Sequence, residues 1–438
     1  MKEVTVFTVN NNFFQPSSEL IARDAIREVQ NKKLIKAFKR ARRVPFLRKK
    51  IEECKLETFR GIDDLARLPF TTKKEIVGCF PFGALAVPLS KVVRIHTSSG
   101  STNKPITTFY THSDLKIWSE LMARGLAAIG AEKGDVFQNT TSQGMFTGGL
   151  GLIQGAERLG LTVVPLGSAH PEKQIETMKD FGVTIFHAIP SFALRMIEIL
   201  ESQEGLRSTL RIKRGILGAE PWTKEMRRKI EGALGIEAFN NYGFAEVGGP
   251  GVAIECKFKS GLHVWEDHFL AEIVDPKTGE QVEVEEEGEL VITPLSREAM
   301  PIIRYRTGDI TRFLDGDCEC GRSHRRVDWI RGRIDDMIKV RGIGIYPSNV
   351  ERIVASHREC NGNFQIVLTG IDDITVKVEV NNGISNDIEA QKRLQAAIFN
   401  EIKEATLLRT NVEIVPQGAI PRAEGKAKRV VDMRGLFS

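Results

Sequence analysis

The sequence predicts an α/β fold. A large N-terminal domain should have mixed or parallel sheets flanked by helices plus a small β-rich lobe, and a C-terminal α+β domain should follow it. Two observations lead to this prediction. Between about residues 90 and 260, short β-rich runs alternate with helical patterns, which is typical of βαβ units and a mostly parallel sheet. After Gly332 the pattern changes and a second set of strands and helices begins. We therefore expect domains at residues 1–334 and 335–438.

Length and composition fit this division. A chain of 438 residues exceeds one ordinary domain, and a content of 41% hydrophobic and 27% charged residues is typical of a soluble globular protein. The sequence contains no apolar run of about eighteen residues and no secretory leader pattern at its start. We therefore expect no membrane-spanning helix, no membrane partner and a cytoplasmic location.

The segment 32–50 is strongly basic, with ten Lys and Arg residues and no acidic residue. Leu34, Ala37, Phe38 and Ala41 recur at helical spacing, which predicts an amphipathic helix whose charges face water. The alternative is a surface that attracts polyanions such as nucleic acid or a phosphorylated cofactor. Because stacking aromatic residues are not interleaved with the charges, we expect no nucleic-acid partner.

Further elements are predicted from local patterns. Helices are expected within residues 17–60, strands at 161–167, 183–190 and 214–221, and helices at 171–181, 191–202 and 223–234. Residues 269–314 should form a smaller antiparallel sheet. The C-terminal domain should contain a half-buried strand at 374–380, a long helix at 386–408 and a strand at 411–416. Ligands of parallel α/β sheets bind at the carboxyl ends of strands, so the site is expected there.

The stretch HTSSGSTNKP, residues 96–105, combines a flexible glycine with hydroxyl side chains and a cation. Glycine-containing loops hold phosphates because backbone N–H groups can converge on an anion where side chains do not obstruct them. The spacing differs from the G-x-x-x-x-G-K-[ST] phosphate loop, so a polar hairpin is the alternative. The residues concerned are Ser98, Ser99, Gly100, Ser101, Thr102 and Lys104.

This loop resembles the phosphate-binding loop of the adenylate-forming ligases, and the rest of the chain resembles the phenylacetate–CoA ligase family within them. The resemblance extends from about residue 18 to 434, and it implies an ATP-dependent acid–CoA ligase. Such an enzyme forms an acyl-AMP intermediate, releases pyrophosphate and AMP, and uses ATP, coenzyme A and Mg²⁺. The later family motifs occur in order: GAEPW (218–222), YGFAEVGGPGVAIEC (242–256), MPIIRYRTGDIT (300–311), GRIDDMIKVRG (332–342) and GK (425–426).

The resemblance also implies individual nucleotide contacts. The loop would hold the β- and γ-phosphates of ATP, Glu246 would bind Mg²⁺, and Tyr242 would lie along the adenine. Asp309 would accept both ribose hydroxyls, and Arg333 would donate to the same ribose. The other expected nucleotide-binding residues are Ala219, Glu220, Pro221, Asn241, Gly243, Phe244 and Ala245.

Two further roles concern the small domain. Lys426 resembles the family lysine whose charge stabilises the transition state of acyl-AMP formation. Asp335 matches the family hinge about which the small domain rotates, so this domain is expected to be mobile.

Two positions depart from the family pattern, since Asn103 stands where glycine is usual and Ala245 replaces a Ser or Thr. A non-catalytic nucleotide- or acid-binding homologue is therefore an alternative, and a phosphotransferase that releases ADP is another.

The segment QGMFTGGLG, residues 143–151, resembles the acyl-pocket segment of the family, with Phe146 and Gly149 as pocket residues. Thr141 and Gln143 stand where phenylacetate-specific relatives tend to have aromatic residues. This difference favours a more polar aryl or arylacetic acid as the small-molecule substrate. Because contacts to CoA have no sharp motif, an acceptor such as a carrier protein or an amine stays open, as does a homodimer.

Cys256, His263, Cys318 and Cys320 form a separate candidate site. Six cysteines in 438 residues do not suggest a disulfide framework. Three thiolates and an imidazole are a normal tetrahedral zinc set, and members of the resembled family carry a similar arrangement. We expect a structural zinc ion that joins the two segments. Reduced free thiols are the alternative, and His324 or His268 could replace His263 as the fourth ligand.

Overall fold

The protein is described here from a computed structural model that covers residues 13–56, 58–98, 105–340, 343–369, 373–385, 387–406, 408–422 and 427–433. None of the helices in these ranges has the length and apolar character needed to cross a bilayer. Seven residues named above lie outside the described residues: Ser99, Gly100, Ser101, Thr102, Asn103, Lys104 and Lys426.

Within the described residues, helices come first, and helices and strands then alternate between residues 107 and 244. The α-helices are α1 (Pro16–Glu19), α2 (Arg23–Ala41), α3 (Pro45–Glu53), α4 (Lys73–Gly78), α5 (His112–Ala128), α6 (Leu150–Leu159), α7 (Pro171–Asp180), α8 (Pro190–Ser202), α9 (Lys224–Leu234), α10 (Pro347–Ser356) and α11 (Ile388–Thr406). Short 3₁₀ helices occur at Ile62–Arg67, Leu89–Lys91, Arg207–Thr209, Ala245–Val247 and Ile334–Asp336.

The strands are mostly short. They are β1 (Arg94–Thr97), β2 (Thr107–Tyr110), β3 (Val136–Asn139), β4 (Thr162–Val164), β5 (Ile185–Ala188), β6 (Arg214–Gly218), β7 (Glu237–Phe244), β8 (Gly249–Glu255), β9 (Leu262–Val264), β10 (Phe269–Val274), β11 (Gly288–Pro294), β12 (Tyr305–Thr311), β13 (Phe313–Leu314), β14 (Arg326–Val327), β15 (Gly332–Arg333), β16 (Ile338–Val340), β17 (Ile343–Ile345), β18 (Cys360–Leu368), β19 (Ile374–Val380), β20 (Asn411–Val415) and β21 (Val430–Asp432).

Local chemistry explains where several helices begin. The hydroxyls of Thr72, Thr111 and Thr223 accept hydrogen bonds from backbone N–H groups in the first turns of α4, α5 and α9. These bonds satisfy donors that have no partner inside a helix. The helices α3, α7, α8 and α10 instead begin with proline, whose fixed φ suits the first turn and whose missing N–H costs nothing there.

The predicted amphipathic helix in the basic segment is confirmed. Leu34, Ala37, Phe38 and Ala41 are all buried on α2. They pack in one cluster with residues of α3 and of later segments. The basic residues of α2 therefore flank a core-facing stripe, as the spacing predicts.

The chain divides into two compact units. The first comprises Met1–Ser168, Phe239–Thr307 and Arg312–Trp329. In it β1 and β2 form an antiparallel hairpin, β3 and β4 pair in parallel, and β10 and β11 form the antiparallel pair expected within residues 269–314. Antiparallel pairing also joins β7 to β8, β8 to β9, β9 to β14 and β14 to β13.

The second unit comprises Ala169–Ala238, Gly308–Thr311 and Ile330–Ser438. Its β5 and β6 are parallel and are connected through α8, which confirms the predicted strand–helix–strand pattern. Strand β19 pairs antiparallel with β18 and parallel with β20, and β18 also pairs with β21. On β19 the apolar residues Ile374, Val376, Val378 and Val380 are buried as their alternation predicts, and α11 supplies Ile398 and Ile402 to the same core. The domain boundary at residue 335 stays a prediction.

Glu351 on α10 is a buried carboxyl without full compensation. It is 4% exposed, and its Oε1 has no hydrogen-bond partner among the described residues. The guanidinium of Arg429 lies 3.8 Å from its Oε2. Burial raises the pKa of Glu351 to about 7, since the charged form loses its hydration, and Arg429 only partly opposes this shift.

This shift predicts a pH dependence of stability. A carboxyl whose pKa is raised on folding stabilises the fold fully below its unfolded pKa and loses that contribution as pH rises through about 7. The free energy of unfolding should therefore fall between pH 5 and pH 8 by a few kcal/mol at most, because one pKa unit is about 1.4 kcal/mol.

Thermal denaturation of wild type and Glu351→Gln at the two pH values measures this effect. In Glu351→Gln, the neutral amide should reduce the loss of stability between pH 5 and pH 8. Glu404→Gln, at an exposed position of α11, should show the same loss of stability as the wild type. Equal pH slopes for wild type and Glu351→Gln would show that the buried carboxyl is not responsible.

Candidate active site

Ser98, the first residue of the candidate phosphate loop, is hydrogen-bonded to Ile106 at the other end of the loop. The β1–β2 register ends with Thr97 opposite Thr107. The Ser98 backbone N–H then donates to the Ile106 carbonyl over 2.8 Å, and the Ile106 N–H donates to Ser98 Oγ over 3.0 Å. Of the predicted phosphate-binding residues, Ser98 alone lies within the described ranges, and its hydroxyl accepts this backbone bond while keeping its own proton to donate.

The predicted acyl-pocket segment is bonded to the same hairpin. The Met145 carbonyl accepts hydrogen bonds from Thr97 N, over 2.7 Å, and from His96 Nδ1, over 3.2 Å. Phe146 follows in this loop and is 44% exposed. Gly149 allows a close backbone approach, because a Cβ there would lie 2.4 Å from the Ser142 carbonyl oxygen.

The two polar residues of this segment differ in their bonding. The Thr141 hydroxyl donates to Asn139 Oδ1 over 3.0 Å, so protein already uses its proton. Gln143 Nε2 is buried and has no hydrogen-bond partner among the described residues. The amide of Gln143 is therefore the better candidate for a contact with a polar substrate.

The predicted nucleotide-binding residues 241–244 lie at the end of β7, which pairs with β8 through a register shift after Tyr242. Gly243 is required here, because a Cβ at this position would lie 2.3 Å from the Gly249 carbonyl oxygen. Asn241 is 5% exposed, and its Oδ1 has no hydrogen-bond partner within the described ranges.

A row of aromatic rings leads from Tyr242 to Glu246. The rings of Tyr242 and Phe244 meet edge to face with centroids 5.8 Å apart, and Phe244 lies 5.5 Å from Tyr305. Tyr305 donates its hydroxyl proton to Glu246 Oε1 over 3.0 Å. Glu246 is 8% exposed, so this bond compensates part of the cost of burying its charge. Sequence reasoning missed Tyr305, although it stands inside the RYRTGD motif.

In the second unit, Ala219, Glu220 and Pro221 directly follow β6. Ala219 has a φ of 69°, a conformation that L-residues other than glycine rarely adopt, so this turn is strained. The carboxylate of Glu220 accepts a hydrogen bond from Ser191 N at the start of α8. This contact arises because β5 and β6 are parallel and end at the same edge of their sheet.

Asp309 and Arg333 stand opposite each other in the antiparallel pairing of β12 and β15. Arg333 Nη1 lies 2.8 Å from Asp309 Oδ1, and Arg333 Nε lies 2.9 Å from Oδ1 of Asp335. Asp309 is 5% exposed. The structure thus brings together the predicted ribose acceptor, the predicted ribose donor and the predicted hinge residue in one ion-pair network.

Cys256, His263, Cys318 and Cys320 are buried and close together in the first unit. One ligand atom from each lies within 4.8 Å of all the others. The Sγ atoms of Cys256 and Cys318 are 3.6 Å apart, and Cys320 Sγ lies 3.3 Å from His263 Nε2. Sulfurs bound to one tetrahedral zinc at about 2.3 Å would be separated by about 3.8 Å, so the donor set and its spacing fit zinc.

Groups around this cluster orient it. His263 Nδ1 lies 3.2 Å from the His324 carbonyl oxygen and donates to it, which leaves the Nε2 lone pair facing the thiols. Hydrogen bonds from Cys256 and Cys318 hold the pKa of the Cys320 thiol well below its ordinary value. The alternative ligand His324 is engaged elsewhere, since its Nδ1 accepts from Glu266 N and its Nε2 donates to the Ser18 carbonyl.

Comparison with known proteins gives the class of the chain. Residues 86–294 match the model of the AMP-binding enzyme family, and residues 342–434 match that of the AMP-binding enzyme C-terminal domain. A crystal structure of 2-hydroxyisobutyryl-CoA ligase in the postadenylation state superimposes with a TM-score of 0.91 at 24% identity, covering 100% of this chain and 96% of that one. The predicted α/β architecture of an adenylate-forming enzyme is thereby confirmed.

Curated relatives define the family more closely. A phenylacetate–coenzyme A ligase of Thermus thermophilus is 40% identical over 442 residues, which cover 96% of this chain and 99% of that protein. A phenylacetate–coenzyme A ligase of Escherichia coli K12 is 41% identical over 423 residues, covering 94% and 96%. The chain belongs to the phenylacetate–CoA ligase family.

Proposed function

We propose that this chain activates an aryl or arylacetic acid as its CoA thioester. As a member of its family, the chain is an ATP-dependent, AMP-forming acid–CoA ligase. The full-length match to phenylacetate–coenzyme A ligases is the observation that carries the substrate class. The bonding of the predicted acyl segment to the β1–β2 hairpin and the carboxylates described above support it.

The reaction has two half-reactions. In the first, a carboxylate oxygen of the substrate attacks the α-phosphorus of ATP, and the bond to the bridging oxygen breaks, so pyrophosphate leaves. In the second, the sulfur of CoA attacks the acyl carbon, the carbon–oxygen bond to AMP breaks, and the thiol proton passes to solvent. The protein has to neutralise charge in the first step and admit a thiol in the second.

The proposed roles of the nucleotide-binding residues follow from their surroundings. Glu246 offers the carboxylate oxygen that Mg²⁺ prefers, and Tyr305 fixes its orientation. When bound, Mg²⁺ would neutralise charge on the phosphates. Asp309, held by Arg333, would accept the ribose hydroxyls. Lys426 would stabilise the charge that develops between the carboxylate and the α-phosphate, and Asp335 would serve as the hinge.

The acyl site supports a substrate that is more polar than phenylacetate. Gln143 Nε2 is a buried donor without a partner among the described residues, and an unsatisfied buried donor is costly. A ring hydroxyl on the acid would satisfy it. We therefore propose a ring-hydroxylated arylacetic or aryl acid as the preferred substrate, with Phe146 and Gly149 in the same loop.

We also propose that Cys256, His263, Cys318 and Cys320 hold a structural zinc ion. The closeness of their four ligand atoms and the orientation of His263 support this assignment. A bound zinc would join the segment around β9 to the segment before β14. A homodimer and a cytoplasmic location remain predictions from the sequence.

A panel of carboxylic acids, scored by pyrophosphate release with and without CoA, tests the substrate proposal. Ring-hydroxylated arylacetates should give the highest kcat/KM, with AMP and the thioester as the other products. Gln143→Leu should reduce the preference for the hydroxylated acid over phenylacetate about tenfold, because the buried donor is removed. Met145→Leu, in the same loop, is the matched control, since Met145 contributes its backbone carbonyl to the hairpin contacts and its side chain is exposed.

Two results of this panel would contradict the proposal. Release of ADP in place of AMP and pyrophosphate would exclude ligation through an acyl-AMP. An unchanged preference in Gln143→Leu would remove this amide from substrate recognition. Thioester formation with purified CoA and no added protein would exclude a carrier protein as the required acceptor.

Elemental analysis tests the zinc proposal. The purified protein should contain about one zinc per chain, and Cys320→Ser should lose it and unfold at a lower temperature. Cys54→Ser should retain the metal, because Cys54 lies outside the cluster. A metal-free preparation with full thermal stability would contradict a structural zinc.

A further inference from the structure

The segment that carries Lys426 is bonded at its N-terminal end to α8. Arg422 Nη2 lies 2.6 Å from Glu198 Oε1, and both side chains are about one-fifth exposed. Asn363 Nδ2 also donates to Glu198 Oε1, over 3.2 Å. Glu198 therefore receives two donors from residues that the predicted boundary assigns to the C-terminal domain.

Arg422 is oriented by a second carboxylate. Its Nη1 and Nη2 lie 2.9 and 2.7 Å from the oxygens of Glu379 on β19, and Glu379 Oε1 also accepts from Ile420 N over 2.7 Å. If the contact with Glu198 is removed, the guanidinium of Arg422 thus keeps Glu379 as a charged partner. Removing Glu198 would weaken one contact without leaving Arg422 unpaired.

The C-terminal end of the same segment is bonded to the turn after β6. Glu220 Oε2 accepts a hydrogen bond from the N–H of Ala427 over 3.1 Å, and the carboxylate also accepts from Ser191 N. Ala427 directly follows Lys426 in the sequence. Glu220, which the family resemblance implies lies beside the adenine, therefore uses its side chain to hold the neighbour of the proposed catalytic lysine.

We propose that Glu198 and Glu220 are positioning residues for acyl-AMP formation. Through Arg422 and the backbone of Ala427, they hold the two described residues that flank positions 423–426 against α8 and the β6 turn. The inference rests on the proposed role of Lys426. Because a rotation of the small domain must break both contacts, they stabilise one arrangement selectively and favour adenylation over thioester formation.

The reciprocal effect on the two half-reactions distinguishes positioning from general stabilisation. A contact that forms in only one arrangement of the small domain speeds the half-reaction that uses this arrangement. Its loss should lower the rate of that step and leave the other step unchanged or faster. A residue that only stabilises the fold would affect both steps together.

The test measures ATP–pyrophosphate exchange for the first half-reaction and thioester formation from supplied acyl-AMP for the second. Glu198→Gln should slow exchange about tenfold, because it loses a charge-assisted bond, and should leave thioester formation within about twofold. Glu201→Gln, at an exposed position of the same helix, is the matched control and should change neither rate.

Glu220→Gln is the second variant. It should also slow exchange about tenfold, because the amide keeps one acceptor oxygen and replaces the other by an NH2 donor that faces a backbone N–H. Equal losses in both half-reactions, or wild-type exchange in both variants, would overturn the inference.

Lys426→Ala, measured in the same assays, separates the inference from the proposed function. If it loses exchange while Glu198→Gln and Glu220→Gln do not, the role of Lys426 stands and the positioning role fails. If Lys426→Ala exchanges at the wild-type rate, the proposed role of Lys426 fails, and the inference that rests on it fails too.

Discussion

An ionised carboxylate that leaves water needs a partner, and this constraint shapes the candidate nucleotide-binding positions. Glu246 is bonded by the Tyr305 hydroxyl, Asp309 is paired with Arg333, and Glu220 accepts two backbone N–H groups. Each partner fixes one oxygen in a defined direction. The protein therefore orients these negative groups at the positions where we propose contacts with a metal ion, a sugar hydroxyl and a backbone segment.

Each unit positions its carboxylates through its own strands. Within the first unit, the row of rings formed by Tyr242, Phe244 and Tyr305 ends at Glu246, which lies in the 3₁₀ helix after β7. Within the second, the parallel strands β5 and β6 bring the start of α8 and the turn after β6 to one edge of the sheet. A strained backbone at Ala219 accompanies this turn, as is common where a functional group must be aimed.

The lobe that holds the cysteine cluster is tied to the start of the described chain. His263 bonds to the carbonyl of His324, and His324 bonds in turn to the carbonyl of Ser18. Beside it, Arg322 and Glu19 form a buried ion pair at 2.8 Å. The cluster is therefore connected to a polar network, which supports the structural role that we propose for a zinc ion there.

Local pattern was sufficient to predict much of the fold. The alternation at 374–380 and the helical spacing at 34–41 depend on neighbours in sequence, and both predictions are confirmed. Tertiary partners could not be predicted in this way. Tyr305 lies 59 residues from Glu246 and Arg422 lies 224 residues from Glu198, so no local signal connects them. The bonding of Thr141 could not be predicted from the sequence either, because its hydroxyl donates to Asn139 Oδ1 and its proton is therefore not available to a substrate.

Transfer of oxygen from substrate to nucleotide tests the central claim most directly. With ¹⁸O in both carboxylate oxygens of an accepted acid, the attacking oxygen becomes the bridge of the acyl-AMP and stays on phosphorus when CoA displaces AMP. The AMP formed with each thioester should therefore carry one ¹⁸O by mass spectrometry. Unlabelled AMP, formed at the same rate as the thioester, would contradict an acyl-AMP route.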